Sequence, residues 1–487
     1  MMKRILTAIL FVCIAGAFAW AQNVLQVYPA PDGVEMKDDF TVKVRVPGGE
    51  WQNVPTYMVK VDEVRGTKHH VEKSSMVYFD FDGQVEVSVT SNNVPVSAAR
   101  VRPLSYGIEP SVVGNTLTFT LDRPRNLSVE VNGDIFHNLQ LFANPIDVNN
   151  PIDGVKIRNE KQLAKKRKDV IYFGPGVHNL GKDTVVVASG QTVYVAGGAV
   201  VYGLIHADRV QDVRIFGRGI VMQKGRGEGV RVSRSKNVAV DGIISTQCPV
   251  GGSDGVKITN VKVISSYGWG DGFNVFASSN VHYDGCFARN SDDCMTVYAT
   301  RKGFVGSARN ILMENCVLWA DVAHPIMIGI HGNVVNPDVI ENITYRNIDI
   351  LDHKEKQIDY QGCMAINAGD DNLIRNILFE DVRIEDFRQG QLFNVRIFYN
   401  KKYCLAPGRG IENVTFRNVS YEGSGEELSV IAGYNSDRKV KNIRFENLRI
   451  NGQVISDDMP DKPAWYKTGD MARIFIGEHV ENIEFVK

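Results

Sequence analysis

The chain has 487 residues, with 55 Lys and Arg against 56 Asp and Glu and a formal net charge of −1. That balance leaves no electrostatic footprint for nucleic acid or an acidic membrane surface. The length exceeds one ordinary core but fits an extended architecture with a smaller second domain. Seven cysteines without C-x-x-C spacing offer no zinc framework and are too sparse for a disulfide scaffold.

The opening, MMKRILTAILFVCIAGAFAWAQ, has a basic start at Lys3 and Arg4, an apolar run, and small residues at Ala19 and Ala21. It reads as a signal peptide over 1–21, giving a secreted or periplasmic protein. No later segment approaches the roughly 18 uninterrupted apolar residues of a membrane span. From 22 to 145 the segments DDFTVKVRVPG, QVEVSVTS, NTLTFTLD and LSVEVNG alternate apolar and polar residues and end in turn residues. This is the pattern of an antiparallel β-sandwich. Residues 146–169 contain Pro151 and a basic run from Lys161 to Lys168. They read as a linker, with a short helix capping a solenoid end and the basic run as a solvated face.

From residue 212 a nine-residue phrase recurs: DVRIFGRGI at 212, NVAVDGIIS at 237, NVHYDGCFA at 280, NILMENCVL at 310, NITYRNIDI at 342, NILFEDVRI at 376, NVTFRNVSY at 413 and NIRFENLRI at 442. Each phrase is two short strands around a polar corner, with a third apolar strand ahead of most of them. Such a unit cannot bury its own apolar face, whereas stacked units share a continuous core. Short strands without helical crossovers predict an all-β chain whose 170–487 portion is a right-handed parallel β-helix. The stacked corner Asn side chains are expected to satisfy neighbouring backbone groups. A β-propeller fits less well, since its blades need four strands at a more regular period.

The solenoid carries one concentration of ionisable groups. GDGFNVFA, SDDCMTVYA and AHPIMIGI supply strands of successive turns. Aligning their apolar positions puts Asp271, Asp293 and His324 in one column, each two residues before its strand, with Asp292 beside the middle one. Parallel strands lie about 4.8 Å apart, so these groups converge within roughly 10 Å. Crowded carboxylates push their pKa values apart and leave a protonated acid beside an ionised base, the pairing that glycosidic cleavage requires. Clustered carboxylates also suit Ca²⁺, but this reading ranks behind acid–base chemistry, and no metal or cofactor is expected. Asp370 and Asp371 follow their strand and read as corner residues.

GDGF, SDDC and the histidine of AHPI resemble glycoside hydrolase family 28, the polygalacturonases, whose pattern runs N-T-D-G, an acidic pair about twenty residues on, then G-H-G. DDCMTVYA and HPIMIG, with the N-terminal sandwich, are also similar to family 49, the dextranases and isopullulanases. The resemblance implies inversion of configuration on a polysaccharide or oligosaccharide. Asp292 would be the general acid, Asp271 and Asp293 would activate water, and His324 would position the acid pair. Stacked carboxylates about 5 Å apart would by the general rule favour retention; inversion is expected here on the resemblance. Two departures stand out. Trp269 replaces the family's Asn ahead of Asp271. The R-I-K that grips the galacturonate carboxylate falls on Ala365, Ile366 and Asn367, which lack a cation, so a neutral or differently charged glycan is expected. Arg301, Lys302 or Arg396 could supply the charge from another direction.

Trp269 between Gly268 and Gly270, with Tyr298 and Asn367, complete the expected substrate-binding set. Phe273, Trp319 and Tyr360 flank the site's rungs, and His331 reads as a corner residue. Cys286 and Cys316 occupy the same slot of successive phrases and read as stacked thiols. The competing functions are a β-helix polysaccharide lyase, for which the column lacks a Lys or Arg base, and a non-catalytic glycan-binding β-helix.

Overall fold

The computed structural model describes residues 23–152, 165 and 167–487. The leader, and the segment 153–164 in which a capping helix is expected, lie outside them. Among the described residues no helix is long and apolar enough to cross a membrane.

The alternating segments pair as two packed sheets. One holds five strands, among them Phe40–Arg45, Val85–Ser91 and Thr116–Leu121; the other holds six, among them Tyr57–Arg65, Lys68–Asp82, Arg125–Val131 and Leu139–Pro145. Period-2 alternation turns Phe40, Val42 and Val44 inward against Val85, Val87 and Val89. The sandwich is not antiparallel throughout. Leu139–Pro145 runs parallel to Ser75–Phe81. This strand is covered on both faces, with Leu139 and Leu141 in the sandwich core and Phe142 against the solenoid, the condition under which parallel pairing is found.

From Val170 onward the chain winds as a right-handed parallel β-helix, its strands joined in one 29-stranded sheet. Each rung carries up to three strands, as in Phe273–Phe276, Ser279–Asp284 and Phe287–Asn290. The register is continuous: Phe273 faces Met295, then Ile326, Met364 and Phe393. The aromatic position of the phrase becomes an internal stack, Tyr345–Phe379–Phe416–Phe445–Phe485, with successive ring centroids 5.2, 5.0, 4.9 and 4.7 Å apart. Offset stacking at this spacing adds to the area each ring buries.

The corner Asn ladder has a different cause from the expected one. Asn310, Asn342, Asn376, Asn413, Asn442 and Asn482 all have φ between 54° and 59°. That left-handed conformation is tolerated by Asn better than by other residues with a side chain. Their amides bond to one another and not to the backbone: each Nδ2 donates to the Oδ1 one rung back, at 3.0 Å for Asn310 to Asn280 and 2.8 Å for Asn442 to Asn413. All six described cysteines are free and buried, and the Cys286 amide donates to Cys316 Sγ at 3.3 Å.

The sandwich lies along the solenoid. Tyr57, Met76, Tyr78 and Phe142 pack on an outward stripe of Val200, Ile220, Ile244, Ile264, Phe287 and Val317. Buried ion pairs cross or brace this seam. Arg218 Nε meets Asp80 at 3.0 Å, and fully buried Arg289 spans Asp321, Asn138 and the Ile135 carbonyl.

Candidate active site

One residue ahead of the registered strands, Gly272 donates to the Asp293 carbonyl at 2.9 Å and Cys294 to the His324 carbonyl at 2.8 Å. Backbone pairing therefore stacks Asp271, Asp293 and His324 at equivalent positions of three rungs. The next rungs place Gly362 and Gln391 in that column.

The three carboxylates have unequal surroundings. Asp293 is buried and receives three donors: His324 Nδ1 at 2.7 Å and the His324 amide at 3.2 Å on Oδ1, and the Tyr298 hydroxyl at 3.1 Å on Oδ2. Burial opposes its ionisation, but the charge and hydrogen bonds of His324, with Tyr298, hold it below the usual carboxylate range. Asp271 accepts one side-chain bond, from Asn274 Nδ2 at 2.5 Å; Thr296 fixes that amide by donating to its Oδ1 at 2.6 Å. Desolvation and the Asp293 charge push Asp271 up to about 6. Asp292 has only the Asp293 amide, at 3.0 Å. Desolvation, then Asp271 and Asp293, raise it well above a normal aspartate. The cluster thus holds one carboxyl whose pKa is lowered, one raised to about 6 and one raised well above the ordinary range.

The charge state of His324 follows from its contacts. Nδ1 faces a carboxylate and Nε2 faces the Tyr360 carbonyl at 2.6 Å. Both partners are acceptors, so both nitrogens carry hydrogen. Burial disfavours the imidazolium, but Asp293 outweighs it and the pKa is raised. Its neighbour His353 is the opposite case. Nδ1 faces the Ala323 carbonyl at 2.7 Å and Nε2 accepts the Gly362 amide at 3.3 Å, the pattern of a neutral ring. Burial and the His324 charge depress it to about 3.

The remaining sequence candidates separate by exposure. Trp269 is 74 % exposed beside the column, with Arg226 over its ring at 5.0 Å. Tyr298 is buried and supports Asp293 from beneath. Asn367 is fully buried, donates to Asn394 Oδ1 at 2.9 Å, and presents nothing to solvent; its position in the strand turns its side chain toward the next rung. Phe273 and Trp319 are likewise buried, whereas Tyr360 sits edge-on to His324 at 4.5 Å and stacks on Tyr403. Arg396 pairs with Asp359 at 2.7 Å. Arg301 lies over the Tyr298 ring and Lys302 over the Phe276 ring, and both charges act on Asp271. His331, read as a corner residue, stands edge-on to Tyr298 at 5.2 Å.

Several positioning residues escaped the sequence reading. Asp62, on the long sandwich hairpin, accepts the Gly268 amide at 2.8 Å and His69 Nδ1 at 2.9 Å. Lys60 donates to the Tyr267 hydroxyl at 2.9 Å. Tyr267, Gly268 and Trp269 are three successive residues of positive φ, so a domain far away in sequence holds the strained loop that carries Trp269. Nothing local marks Asp62 for this task. Arg289 had a visible signal, a cation inside the apolar strand just before the acidic pair.

Comparison with known proteins gives the family and the fold. The family model "Glycosyl hydrolases family 28" matches residues 154–461, which include all four residues of the cluster. The chain belongs to this family. Among curated relatives of this family 28 chain, a polygalacturonase of Juniperus ashei is 26 % identical over 252 residues, 48 % of this chain and 45 % of its own. A probable endopolygalacturonase D of Neosartorya fischeri is 24 % identical over 186 residues, covering 37 % and 35 % of the two chains. The chain thus spans half or less of the length of these relatives. Among solved structures, Dex49A from Penicillium minioluteum superposes with a TM-score of 0.61 at 13 % identity over 94 % of this chain and 96 % of its own. That coverage takes in the sandwich as well as the solenoid, and it shows the fold.

Proposed function

We propose that this family 28 chain is a secreted, inverting glycoside hydrolase that cleaves a polysaccharide or its oligosaccharides with three aspartates. The carrying observation is the unequal surroundings of the three stacked carboxylates, with His324 and Tyr298 bonded to Asp293 alone. Asp292, raised well above the ordinary aspartate range by burial and by the Asp271 and Asp293 charges, holds the proton that it gives to the leaving glycosidic oxygen. Asp293, held as an anion by a charged His324, and Asp271, ionised above about pH 6, take the proton of the attacking water. Arg301 and Lys302 bring the positive charge that the family motif would have supplied at Asn367. With relatives named as polygalacturonases, this favours an acidic glycan over the neutral one expected from sequence.

The test is to incubate the protein with polygalacturonate and with neutral α-glucans, following reducing ends and the anomer first released by proton NMR. New reducing ends of inverted configuration are expected. Retained configuration, or unsaturated products, would sink the reading.

A pH profile checks the base. Asn274 stabilises ionised Asp271, so Asn274→Ala raises that pKa and moves the acidic limb of kcat/KM to higher pH. A lost hydrogen bond to a charged group corresponds to a shift of about one pH unit. An unmoved limb would mean that another group sets it.

A further inference from the structure

A cavity of about 410 Å³ opens along the sandwich–solenoid seam, on the N-terminal side of the carboxylate cluster. Its solenoid wall is built from four successive rungs, with Val200, Ile220 and Ile244 in register and Ile264 on the fourth. At about 4.8 Å per rung these span roughly 14 Å. Tyr202 and Met222, also in register, are half-buried there. The opposite wall is the sandwich strand carrying Met58 and Lys60.

The cavity is continuous with the catalytic edge. Ser265, Ser266 and Tyr267 line it, Ser265 donates to the Gly270 carbonyl, and Asp271 follows. Arg226 lines the cavity and lies over Trp269 at the site. Its charge is one-sided. Lys60, Lys224 and Arg226 line it, and among the described residues none of them forms an ion pair: Lys60 donates to the Tyr267 hydroxyl at 2.9 Å, Arg226 donates to the Tyr267 carbonyl and lies over the Trp269 ring, and Lys224 lies over the Tyr202 ring. The one acidic residue lining it, Glu35, is neutralised by Lys73 at 2.9 Å.

We infer that this cavity is a distal glycan-binding site in which the sandwich forms one wall of the substrate cleft. Aromatic and thioether surfaces take the faces of sugar rings, and three cations that no carboxylate neutralises take their acidic substituents. The occupant is the remote end of an acidic oligosaccharide whose other end lies at Asp292. This rests on the proposed hydrolase reading for the direction of the chain, but not for binding itself.

The experiment is calorimetric titration of the full chain carrying Asp292→Asn with oligogalacturonides of two to eight units and neutral maltooligosaccharides of equal length. Affinity for the acidic series is expected to rise at least tenfold from the short to the long members, and Lys224→Ala or Lys60→Ala on that background should remove most of this gain. Lys224 is exposed, so its substitution leaves the fold intact; a matching melting temperature checks this for both. A length-dependent gain unaffected by either substitution, an equal gain for the neutral series, or no gain with length would each overturn the site. Reducing-end release by the unsubstituted chain is recorded separately, so a failed hydrolase reading and a failed distal site give different results.

Discussion

Asp292→Asn is expected to lower kcat by about 10²- to 10⁴-fold, the range that general acid catalysis contributes, while the fold is retained. The substitution is nearly isosteric, and the one hydrogen bond recorded for this side chain, from the Asp293 amide at 3.0 Å, is to an oxygen that Asn also has. The stability change has a definite sign. An aspartate whose pKa is raised on folding binds protons more tightly in the folded state. Its contribution therefore falls as pH climbs from the unfolded value of 3.8 through the folded one. At pH 7 the wild type bears that cost and the Asn variant does not, so its Tm should hold or rise. Reducing-end release and a thermal melt on one preparation decide the matter. Activity within a few-fold of wild type would remove Asp292 as the acid, whereas a collapsed Tm would show that its role is structural.

The second large effect is expected at Arg289. Its side chain is fully buried, bonds Asp321 at 3.1 Å through Nη2, reaches Asn138 and the Ile135 carbonyl of the sandwich, and lies 4.1 Å from the Trp319 ring centroid. Arg289 precedes Asp292 by three residues and Asp321 precedes His324 by three, so the pair ties together the two rungs that supply the acid pair and its imidazolium. Arg289→Met leaves the buried Asp321 carboxylate with the Asp62 amide at 3.3 Å and one cation, Arg388, at 3.8 Å. Breaking a buried pair from one side costs about 3–5 kcal/mol. Denaturant unfolding should show an early loss of the sandwich–solenoid contact, and kcat should fall with it. Arg289→Met combined with Asp321→Leu should recover much of the stability, because the uncompensated charge is gone. An unchanged first transition in the single variant would show that the apolar stripe alone holds the seam.

The sequence determined what is periodic. Repeated apolar–polar–apolar phrases specify stacked rungs because a two-strand unit has no partner for its apolar face except its copy. The same register carries Asp271, Asp293 and His324 into one column, since residues equally offset from aligned strands must stack. The corner Asn residues were legible too, although their left-handed φ and amide-to-amide ladder, and not backbone satisfaction, explain them. Tertiary structure alone decided the rest. Asn367 and Trp269 both lay near the column in sequence, yet Asn367 is sealed by the next rung while Trp269 is held open by Asp62 and Lys60, some two hundred residues earlier. Which carboxyl keeps its proton depends on how far each is desolvated and on the His324 charge that reaches Asp293 from the next rung. The cleft wall at Met58 and Lys60 likewise exists only because two domains dock. Periodicity is a local property that one segment can report; docking, burial and protonation depend on contacts between distant segments, which no local pattern encodes.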